Sequence, residues 1–277
     1  MILTVCATKG GVGKTTVTAN LGGFLADLGR KVLIIDADVQ PTLSSYYILD
    51  GPPAENGLTH LIQAASADGA ISRTGIRNLD LVYSDDPEGE LQHWIARTPD
   101  GRFRIRRALD EIAPRYDFIL IDTQGAVGGL QDAAILAADL LVSPITPEML
   151  SAREFLRGTI QMLERLGDLR YLGFERPPLV GVLNRMDKTR DARDIADQIR
   201  DLASGHPEID IRMARTVIPA TVAYRKAASM QAPVHRIETK RRGGPTLSAL
   251  ETMARLAREL GLAESPDTEI AQGGEPK

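Results

Sequence analysis

A glycine-rich run that contains two lysines lies near the start of the chain, between a short apolar segment and a helical pattern. In order, it reads Lys9, Gly10, Gly11, Val12, Gly13, Lys14, Thr15 and Thr16. A glycine loop at such a junction can turn its backbone N–H groups onto phosphate oxygens, and the N-terminus of the following helix adds a favourable potential. Lys14 would supply a charge for the β- and γ-phosphates, the Thr15 hydroxyl would ligate Mg²⁺, and Thr16 would contact the α-phosphate. The run therefore predicts a site that binds a nucleotide through its phosphates.

Three carboxylates follow apolar runs that are typical of buried strands. Asp36 ends the run Lys31–Asp36, Asp38 comes two residues later, and Asp122 follows the run Phe118–Ile121. The carboxyl ends of parallel strands face the ligand crevice of an α/β sheet. Four apolar residues followed by Asp have the Walker B form, so we expect Asp122 to hold Mg²⁺ directly or through water. Asp36 and Asp38 could simply end a strand and begin a turn, but the glycine loop favours a role in phosphoryl transfer, which depends on positioned water and metal.

Apolar runs and helical patterns alternate along the chain. Strands are predicted at Ile2–Cys6, Lys31–Asp36, Leu79–Val82, Phe118–Asp122, Leu140–Pro144, Leu179–Leu183 and Thr216–Ile218. Helices are predicted at Thr15–Leu28, Arg104–Ile112, Glu148–Leu166, Asp191–Leu202 and Thr246–Leu260. This alternation predicts an α/β fold with a mostly parallel, doubly wound sheet and helices on both faces. No repeat or internal linker is visible, so we expect residues 1–262 to form one domain and the polar residues 263–277 to form a disordered tail.

Composition narrows the classes of protein to which this chain can belong. Of its 277 residues, 43% are hydrophobic, which is enough for one large core, and no apolar run is long enough to span a membrane. The N-terminus lacks the residue order of a signal peptide. The single cysteine, Cys6, excludes a disulfide framework and a cysteine-based metal cage, and we expect it to be a small buried residue of the first strand. These features predict a cytoplasmic protein.

The glycine-rich run departs from the general Walker A pattern, because Thr8 stands where that pattern has a glycine and a second lysine, Lys9, follows it. This arrangement resembles the deviant Walker A motif of the ParA/MinD family. The resemblance implies a P-loop ATPase that uses ATP and Mg²⁺, hydrolyses ATP to ADP and phosphate, and forms a homodimer when ATP is bound. Lys9 would then reach the partner subunit's nucleotide, and Lys9, Lys14 and Asp38 would have catalytic roles. The stretch from Asp36 to Gln40 resembles the Asp-x-Asp-x-Gln segment of the family, in which Asp38 would orient the attacking water and Asp36 would lie near the Mg²⁺ shell.

The resemblance also implies where the base lies. In the family, an Asn or its neighbour after the corresponding strand contacts adenine, and an Ile-Pro loop closes over the base. The matching residues here are Asn184, Arg185 and Pro219. Asn184 could instead be a helix-capping or turn residue, because asparagine is common in both settings.

Positive charge is concentrated in the C-terminal third. The net charge is −4, yet the segment Arg176–Arg242 holds 14 basic and 8 acidic residues. By resemblance to partition ATPases of the family, basic residues here would contact DNA phosphates without sequence preference, and a ParB-like centromere-binding protein would stimulate hydrolysis on the nucleoid. The candidates are Arg185, Lys188, Arg190, Arg225, Lys226, Lys240, Arg241 and Arg242. A solvated basic face is the alternative, and Ala220 and Ala223 stand where partition ATPases often carry Arg.

Other functions within the superfamily are alternatives or are disfavoured. Gln124 stands where ParA-like chains commonly have proline, and conjugation-associated VirC-like members also lack that proline, so a conjugation or cargo-positioning ATPase is an alternative. A MinD-type membrane regulator would need a C-terminal amphipathic helix, but Ile270 is the only large apolar residue after Leu262. A nitrogenase-type iron protein would need cluster-binding cysteines, which a single Cys6 excludes. The preferred hypothesis is plasmid or chromosome partition, without membrane contact.

Overall fold

The central feature of the fold is one sheet of eight strands. The computed structural model describes residues 1–148, 155–167, 175–204, 211–241 and 243–264. Within these residues the strands are β1 (Ile2–Val5), β2 (Val32–Ala37), β3 (Ser72–Arg73), β4 (Leu79–Val82), β5 (Phe118–Thr123), β6 (Leu140–Ile145), β7 (Leu179–Leu183) and β8 (Ile211–Met213). Their order across the sheet is β3-β4-β2-β5-β1-β6-β7-β8, and each neighbouring pair is parallel except β3 with β4.

The central strands have the composition of parallel strands that are buried on both faces. β2 and β5 pair over six residues, and Val, Ile and Leu dominate both strands. Helices cover the two faces of such a sheet, so its strands are continuous apolar runs and do not alternate with polar residues. The pairing register sets Asp36 directly beside Asp122. The sheet therefore brings together two carboxylates that are far apart in the sequence.

The helices surround this sheet. Within the described residues they are α1 (Lys14–Asp27), α2 (Leu58–Gln63), α3 (Glu90–Arg97), α4 (Arg104–Ile112), α5 (Gly129–Leu136), α6 (Ile160–Gly167), α7 (Arg190–Ser204), α8 (Val222–Ser229), α9 (Val234–Ile237) and α10 (Ala249–Glu259). A π-helical turn, Phe155–Thr159, leads into α6. Short 3₁₀ turns, Gly101–Phe103 and Ala113–Arg115, flank α4.

Apolar clusters on both faces of the sheet hold these helices in place. α1 and α8–α10 share one cluster, which includes Leu256, while α2–α5 share another, which includes Leu109. A third cluster, which includes Ile199, joins α6 and α7 to β6 and β7. Helices therefore cover both faces of a mostly parallel sheet, and the predicted fold class is confirmed.

Helix α1 is mostly buried and is attached to α9 at two points. Eleven of its fourteen residues are buried. Asn20 Oδ1, near its middle, accepts the Val234 N–H at 2.7 Å, and Asp27 Oδ2, at its end, lies 2.7 Å from His235 Nε2. The helix that follows the glycine loop is thus bonded directly to the C-terminal third of the chain.

The predicted last strand, Thr216–Ile218, is wrong. Among the described residues the last strand is β8, which precedes that segment. Its residues are partly buried or exposed, so their pattern gives a weak signal. The Ile218 N–H does reach β7, where the Leu183 carbonyl accepts it at 2.8 Å. The next residue, Pro219, pairs with Met186 only as an isolated bridge, because proline has no N–H with which to extend a ladder.

The predicted helix Glu148–Leu166 is also corrected. Glu148 lies in a bend and donates its N–H to the Thr146 carbonyl at 2.8 Å, while residues 149–154 lie outside the described residues. The other predicted strands and helices match to within three residues. Cys6 is fully buried directly after β1, and burial raises the pKa of its thiol to about 12. The described residues include no helix that is both long and apolar enough to cross a membrane. The division into a domain and a tail stays a prediction, since residues 265–277 are not among those described.

Candidate functional site

The glycine loop, which consists of residues 6–13 and is called the phosphate loop below, lies between β1 and α1 and exposes the helix N-terminus. Gly11 (φ 75°) and Gly13 (φ 96°) have the left-handed backbone conformation that glycine adopts at no steric cost. Gly13 is the last residue before α1 and has no side chain with which to cap the helix. The first backbone N–H groups of α1 therefore stay available for an anion, as expected for a phosphate site.

Asn184, the residue that follows β7, supports this loop from the side. Its Nδ2 donates to the Val12 carbonyl at 2.7 Å, and its Oδ1 accepts the Arg185 N–H at 2.9 Å. A Cβ atom at Gly13 would lie only 2.2 Å from Asn184 Nδ2. Glycine is therefore required at position 13 by the backbone conformation and by the closeness of Asn184. The Asn184 amide, predicted to contact adenine or to form a turn, contacts the phosphate loop in this structure.

Lys14 is buried at the base of the loop. The residue is 6% exposed, and burial lowers the pKa of its ammonium group, an effect that the nearby carboxylates of Asp122 and Asp38 partly offset. The backbone of Gly125 is close as well, because a Cβ atom there would lie 3.2 Å from Lys14 Nζ. The ammonium group thus lies between the phosphate loop and the carboxyl ends of the central strands.

Asp36 and Asp122 form a fully buried carboxyl pair near Lys14. Burial raises the pKa of Asp122 to about 8, against the opposing effect of a hydrogen bond from Thr15. Burial also raises the pKa of Asp36 to about 6, although the Ser44 N–H and hydroxyl both donate to Asp36 Oδ2 at 2.7 Å. Asp36 Oδ1 and Asp122 Oδ2 have no hydrogen-bond partner among the described residues. Buried oxygens without donors are favourable acceptors for a cation or for its bound water.

These groups fit Mg²⁺ in combination with a nucleotide. The described residues contain no cluster of three or more His, Cys, Asp or Glu side chains that could hold a metal by themselves. Mg²⁺ usually keeps several waters and binds one or two carboxylates together with the phosphates of a substrate. Thr15, Asp36 and Asp122 offer that kind of incomplete ligand set. Metal binding would favour the ionised form of both carboxyl groups.

The other two residues predicted to be catalytic lie at the edge of the site. Asp38 is half-buried, and its Oδ1 accepts the Gln40 N–H at 3.0 Å. Its carboxylate is close enough to Lys14 to raise the pKa of the ammonium group. Lys9 Nζ lies 3.4 Å from Glu148 Oε2. The structure therefore brings Asp38 to the phosphate site, while Lys9 pairs with a carboxylate of its own chain.

Three glutamines surround the start of the loop that follows β5. Gln92 Nε2, on α3, donates to Gln124 Oε1 at 3.2 Å. Gln131 Nε2, on α5, donates to the Ala7 carbonyl at 3.2 Å and lies 3.4 Å from the Gln124 carbonyl. Gln124, at the position where proline is common, thus links this loop to α3, and Gln131 links the same loop to the start of the phosphate loop.

The same loop then passes directly over the phosphate loop. A Cβ atom at Gly125 would lie 2.7 Å from Gly10 Cα and 2.8 Å from Gly10 N, so no larger residue fits without movement. Two residues later, Val127 is 51% exposed. A loop in this position would contact the terminal phosphate of a bound nucleotide, which suits a nucleotide-dependent switch.

A cavity of about 670 Å³ lies between the β7–α7 connection and the segment before α8. Met186 and Pro219, the two residues of the isolated bridge, both line it. Asn184 and Arg185 immediately precede Met186, and Arg185 has a φ of 56°, which is uncommon outside glycine. A cavity of this volume is large enough for a ligand of nucleobase size. The structure therefore brings Pro219 next to the connection that carries Asn184 and Arg185.

The basic residues predicted to contact DNA are exposed where they are described, but two of them are paired. Arg190 Nε lies 3.9 Å from Asp194 Oδ2. Arg241 Nε lies 2.8 and 2.9 Å from the two Glu251 carboxylate oxygens, and hydrogen bonding to Arg241 helps to lower the pKa of Glu251 to about 2. The other exposed candidates are Arg185, Lys188, Arg225, Lys226 and Lys240, while Arg242 lies outside the described residues.

Sequence reasoning missed several residues of this site. Ser44, which donates to Asp36, lies in a loop without a motif, and Gln92 gives no local signal. Gln131 could have been noticed, because it is a polar residue in the mostly apolar helix α5, where it is fully buried. These contacts depend on side chains that approach each other only in the folded protein.

Comparisons of the sequence and the structure with known proteins all find similarity to P-loop ATPases of the Soj and McdA type. Residues 1–171 match the family model described as AAA domain. The chromosome-partitioning ATPase Soj of Thermus thermophilus is 30% identical over 91% of this chain and 92% of its own length. The sporulation initiation inhibitor protein Soj of Bacillus subtilis is 26% identical over 87% of this chain and 93% of its own length. The structure of Cyanothece McdA with ATP has a TM-score of 0.79 at 24% identity, covers 95% of this chain and 97% of its own, and shows a common fold.

Proposed function

Because the chain belongs to the ParA/MinD family of P-loop ATPases, we propose that it hydrolyses ATP to ADP and phosphate and forms a homodimer when ATP is bound. The observation that carries this proposal is the buried group of Lys14, Asp36 and Asp122 below a glycine loop. Burying an ammonium group and two carboxyl groups with free oxygens is unfavourable unless a ligand compensates for the lost hydration. A nucleotide with its metal provides that compensation.

Each residue of the site has a part in the proposed reaction. The N–H groups of the glycine loop bind the phosphates, Thr16 contacts the α-phosphate, and Lys14 neutralises charge on the β- and γ-phosphate oxygens. Thr15, Asp36 and Asp122 would hold Mg²⁺, which supplies further neutralisation of phosphate charge when bound. Asp38 accepts a hydrogen bond from the attacking water and orients it towards the γ-phosphorus. The adenine base lies at Pro219, beside Asn184 and Arg185.

The role of Asp38 can be tested by substitution. Asp38→Ala should bind ATP and remain dimeric but release phosphate at least a hundredfold more slowly, because water positioning and general-base contributions to rate are of roughly this size. Phosphate release and light scattering after size exclusion measure the two properties. Asp110→Ala, an exposed carboxylate on α4, is the matched control. Normal ATP turnover in Asp38→Ala would show that Asp38 does not orient the attacking water.

We also propose that Lys9 completes the site of the partner subunit. Lys9→Ala should lose ATP-dependent dimerisation and keep most of its nucleotide affinity, since Lys14 and the glycine loop are unchanged. Sedimentation velocity with and without ATP measures the first property, and titration with a fluorescent ATP analogue measures the second. Lys31→Ala, which removes an exposed lysine far from the loop, is the control. A Lys9→Ala protein that still dimerises with ATP contradicts this part of the proposal.

The proposed cellular role is plasmid or chromosome partition. The ATP-bound dimer would bind DNA without sequence preference on the nucleoid, and a ParB-like protein would stimulate hydrolysis and release the dimer. The name of the Thermus thermophilus relative, a chromosome-partitioning ATPase, and the basic C-terminal third of this chain support this role. Replacing Lys240, Arg241 and Arg242 by Ala should weaken retention on random-sequence DNA. Unchanged retention would mean that these residues form a solvated basic face that does not contact DNA.

A conjugation-associated or cargo-positioning role is the second candidate, and Gln124 favours it. The residue stands at a position where proline is common in partition ATPases, and its side chain is bonded to Gln92. The gene next to the one for this protein separates the candidates. A ParB-like neighbour whose product stimulates the ATPase supports partition, and the absence of stimulation by that product supports the alternative.

A further inference from the structure

A groove with an arginine-rich lining runs beside α10, outside the site described above. Its volume is about 500 Å³, and Arg215, Arg255 and Arg258 line it together with Thr216 and Glu259. All three arginines are exposed. The groove adjoins the 670 Å³ cavity, because Val217 and Leu247 line both.

The positive charge of this groove is poorly balanced by its own lining. Arg255 and Arg258 are three residues apart on α10, so they lie on one face of the helix, and Arg215 reaches the groove from the segment after β8. Glu259 is the one carboxylate among the lining residues, and its Oε2 accepts the Thr216 N–H at 2.9 Å. Neither Arg215 nor Arg255 donates a side-chain hydrogen bond to a described residue, and Arg258 donates only its Nε, to the Ala254 carbonyl.

The same groove has a fourth arginine at its border. Arg212, on the edge strand β8, donates to the Glu259 carbonyl at 3.0 Å, which keeps its guanidinium group near the C-terminal end of α10. A chain with a net charge of −4 thus concentrates four arginines around one concave surface. This arrangement differs from that of Arg241, whose guanidinium group is held by Glu251.

We infer that Arg215, Arg255 and Arg258 form a contact surface for the phosphate backbone of duplex DNA. The ligand class follows from charge complementarity, since the planar guanidinium group binds phosphate oxygens well and backbone contacts need no base recognition. An open groove suits an extended polyanion, whereas an enclosed pocket would suit a small anion. The inference rests on the proposed DNA binding in the ATP state and adds residues to it that are separate from the run Lys240–Arg242.

The test compares two triple variants of the full-length protein. Arg215, Arg255 and Arg258 are replaced by Ala in one variant, and Arg77, Arg97 and Arg107 are replaced by Ala in the other. The second set is also exposed and removes the same net charge, and none of its members lines the groove. Fluorescence anisotropy with a labelled random-sequence duplex, in the presence of a non-hydrolysable ATP analogue, gives the affinity at several salt concentrations.

The groove variant should bind DNA roughly ten- to a hundredfold more weakly near physiological salt. The slope of log affinity against log salt should fall in magnitude by about 2 to 3, because each lost phosphate contact removes about 0.9 from it. The control variant should keep the slope of the unmodified protein. ATP affinity and hydrolysis without DNA should be unchanged in both variants, since none of these residues lies in the nucleotide site.

The outcomes separate this inference from the proposed function. If the unmodified protein does not bind DNA with the ATP analogue, the proposed DNA binding is wrong and the inference falls with it. If that protein binds DNA and the groove variant keeps its affinity and salt slope, the inference alone is wrong. A groove variant that loses binding to vesicles of anionic phospholipid but not to DNA also overturns it. If the Ala variant does not fold, the corresponding Arg→Gln triple variant is measured against the same criteria.

Discussion

The buried carboxyl group of Asp36 gives the sharpest test of the site, through its partner Ser44. The Ser44 hydroxyl donates to Asp36 Oδ2 at 2.7 Å and also accepts the Ser84 N–H at 2.9 Å. Ser44→Ala removes the hydroxyl but keeps the backbone N–H, which is also 2.7 Å from Oδ2. The variant therefore leaves the carboxylate in place with one donor fewer.

The size of the effect follows from the energy of a hydrogen bond to a charged group. Such a bond contributes about 1.5–3 kcal/mol, and 1.36 kcal/mol corresponds to one pKa unit, so the pKa should rise by roughly 1–2 units. Since the pKa of Asp36 is about 6, the variant should titrate at roughly 7–8. At pH 7 the ionised fraction would then fall from about nine tenths to between about a half and a tenth.

Two measurements check this shift. The acid limb of kcat/KM for Mg²⁺-dependent ATP hydrolysis, which reports the ionisation of the free enzyme, should move upwards by about 1–2 pH units, because Asp36 must be ionised to interact with the metal. Thermal unfolding without nucleotide gives the second readout. Because the folded-state pKa of Asp36 is raised from 3.8 to about 6, the unmodified protein loses stability as the pH rises through this interval. The variant should go on losing stability up to its own pKa of roughly 7–8, so Ser44→Ala should lose about 3–12 °C in Tm at pH 8. The loss should be smaller at pH 5, where the carboxyl group is protonated in both proteins.

Ser45→Ala is the matched control, because its hydroxyl interacts with the Pro41 and Thr42 carbonyls and not with Asp36. It should keep the acid limb and the Tm of the unmodified protein. The reasoning is refuted if Ser44→Ala has the same acid limb as this control, or if its loss of Tm is equal at pH 5 and pH 8.

Three other substitutions test separate contacts. Gly125→Ala should lower the Tm by about 2–12 °C, because overpacking against the phosphate loop costs roughly 1–3 kcal/mol. The control Gly75→Ala should change the Tm little, because its Cβ would meet its nearest neighbour at 3.4 Å. Equal Tm values of the two variants in scanning fluorimetry would contradict the predicted clash. Asn184→Ala should weaken the binding of a fluorescent ATP analogue at least fivefold, because a phosphate-loop carbonyl loses a donor worth about 1–3 kcal/mol, while Asn56→Ala should bind normally. Burial lowers the pKa of His235 from 6.5, so the unmodified protein should lose stability as the pH falls below 6.5, and its Tm advantage over His235→Gln should narrow from pH 7.5 to pH 5; a constant difference would exclude this titration.

Much of the site is predictable where the chemistry is local in the sequence. The glycine loop is a contiguous run, and Asp36 and Asp122 each end a continuous apolar strand, so a parallel sheet places both carboxylates at the edge that carries the loop. Their direct pairing also depends on the strand order, which the sequence does not give. The apolar runs also predict the central strands, because a strand buried on both faces has little freedom in composition. Because each motif follows a predicted parallel strand, the sequence places Lys14 at the same edge of the sheet as these two carboxylates.

The rest of the site depends on contacts that no local pattern encodes. Asn184 supports the carbonyl of Val12 across 172 residues, and Gln131 reaches Ala7 across 124. From the sequence alone, either side chain could equally well lie in a turn or on a helix surface, because only the folded sheet brings it to its carbonyl partner. The error at Thr216–Ile218 has the same origin, because the apolar run is real but Pro219 prevents its pairing from extending.

Helix α1 connects the candidate phosphate site to the C-terminal third of the chain. Its fourteen residues span about 21 Å, from Lys14 at the phosphate site to Asp27 at the contact with α9. Because Asn20 and Asp27 are both hydrogen-bonded to α9, helices α1 and α9 should move as one rigid body. A tilt of about 5° at the phosphate end displaces the far end by about 2 Å. Nucleotide binding would then move the arginine-lined groove beside α10, and no segment between the nucleotide site and the groove would have to unfold.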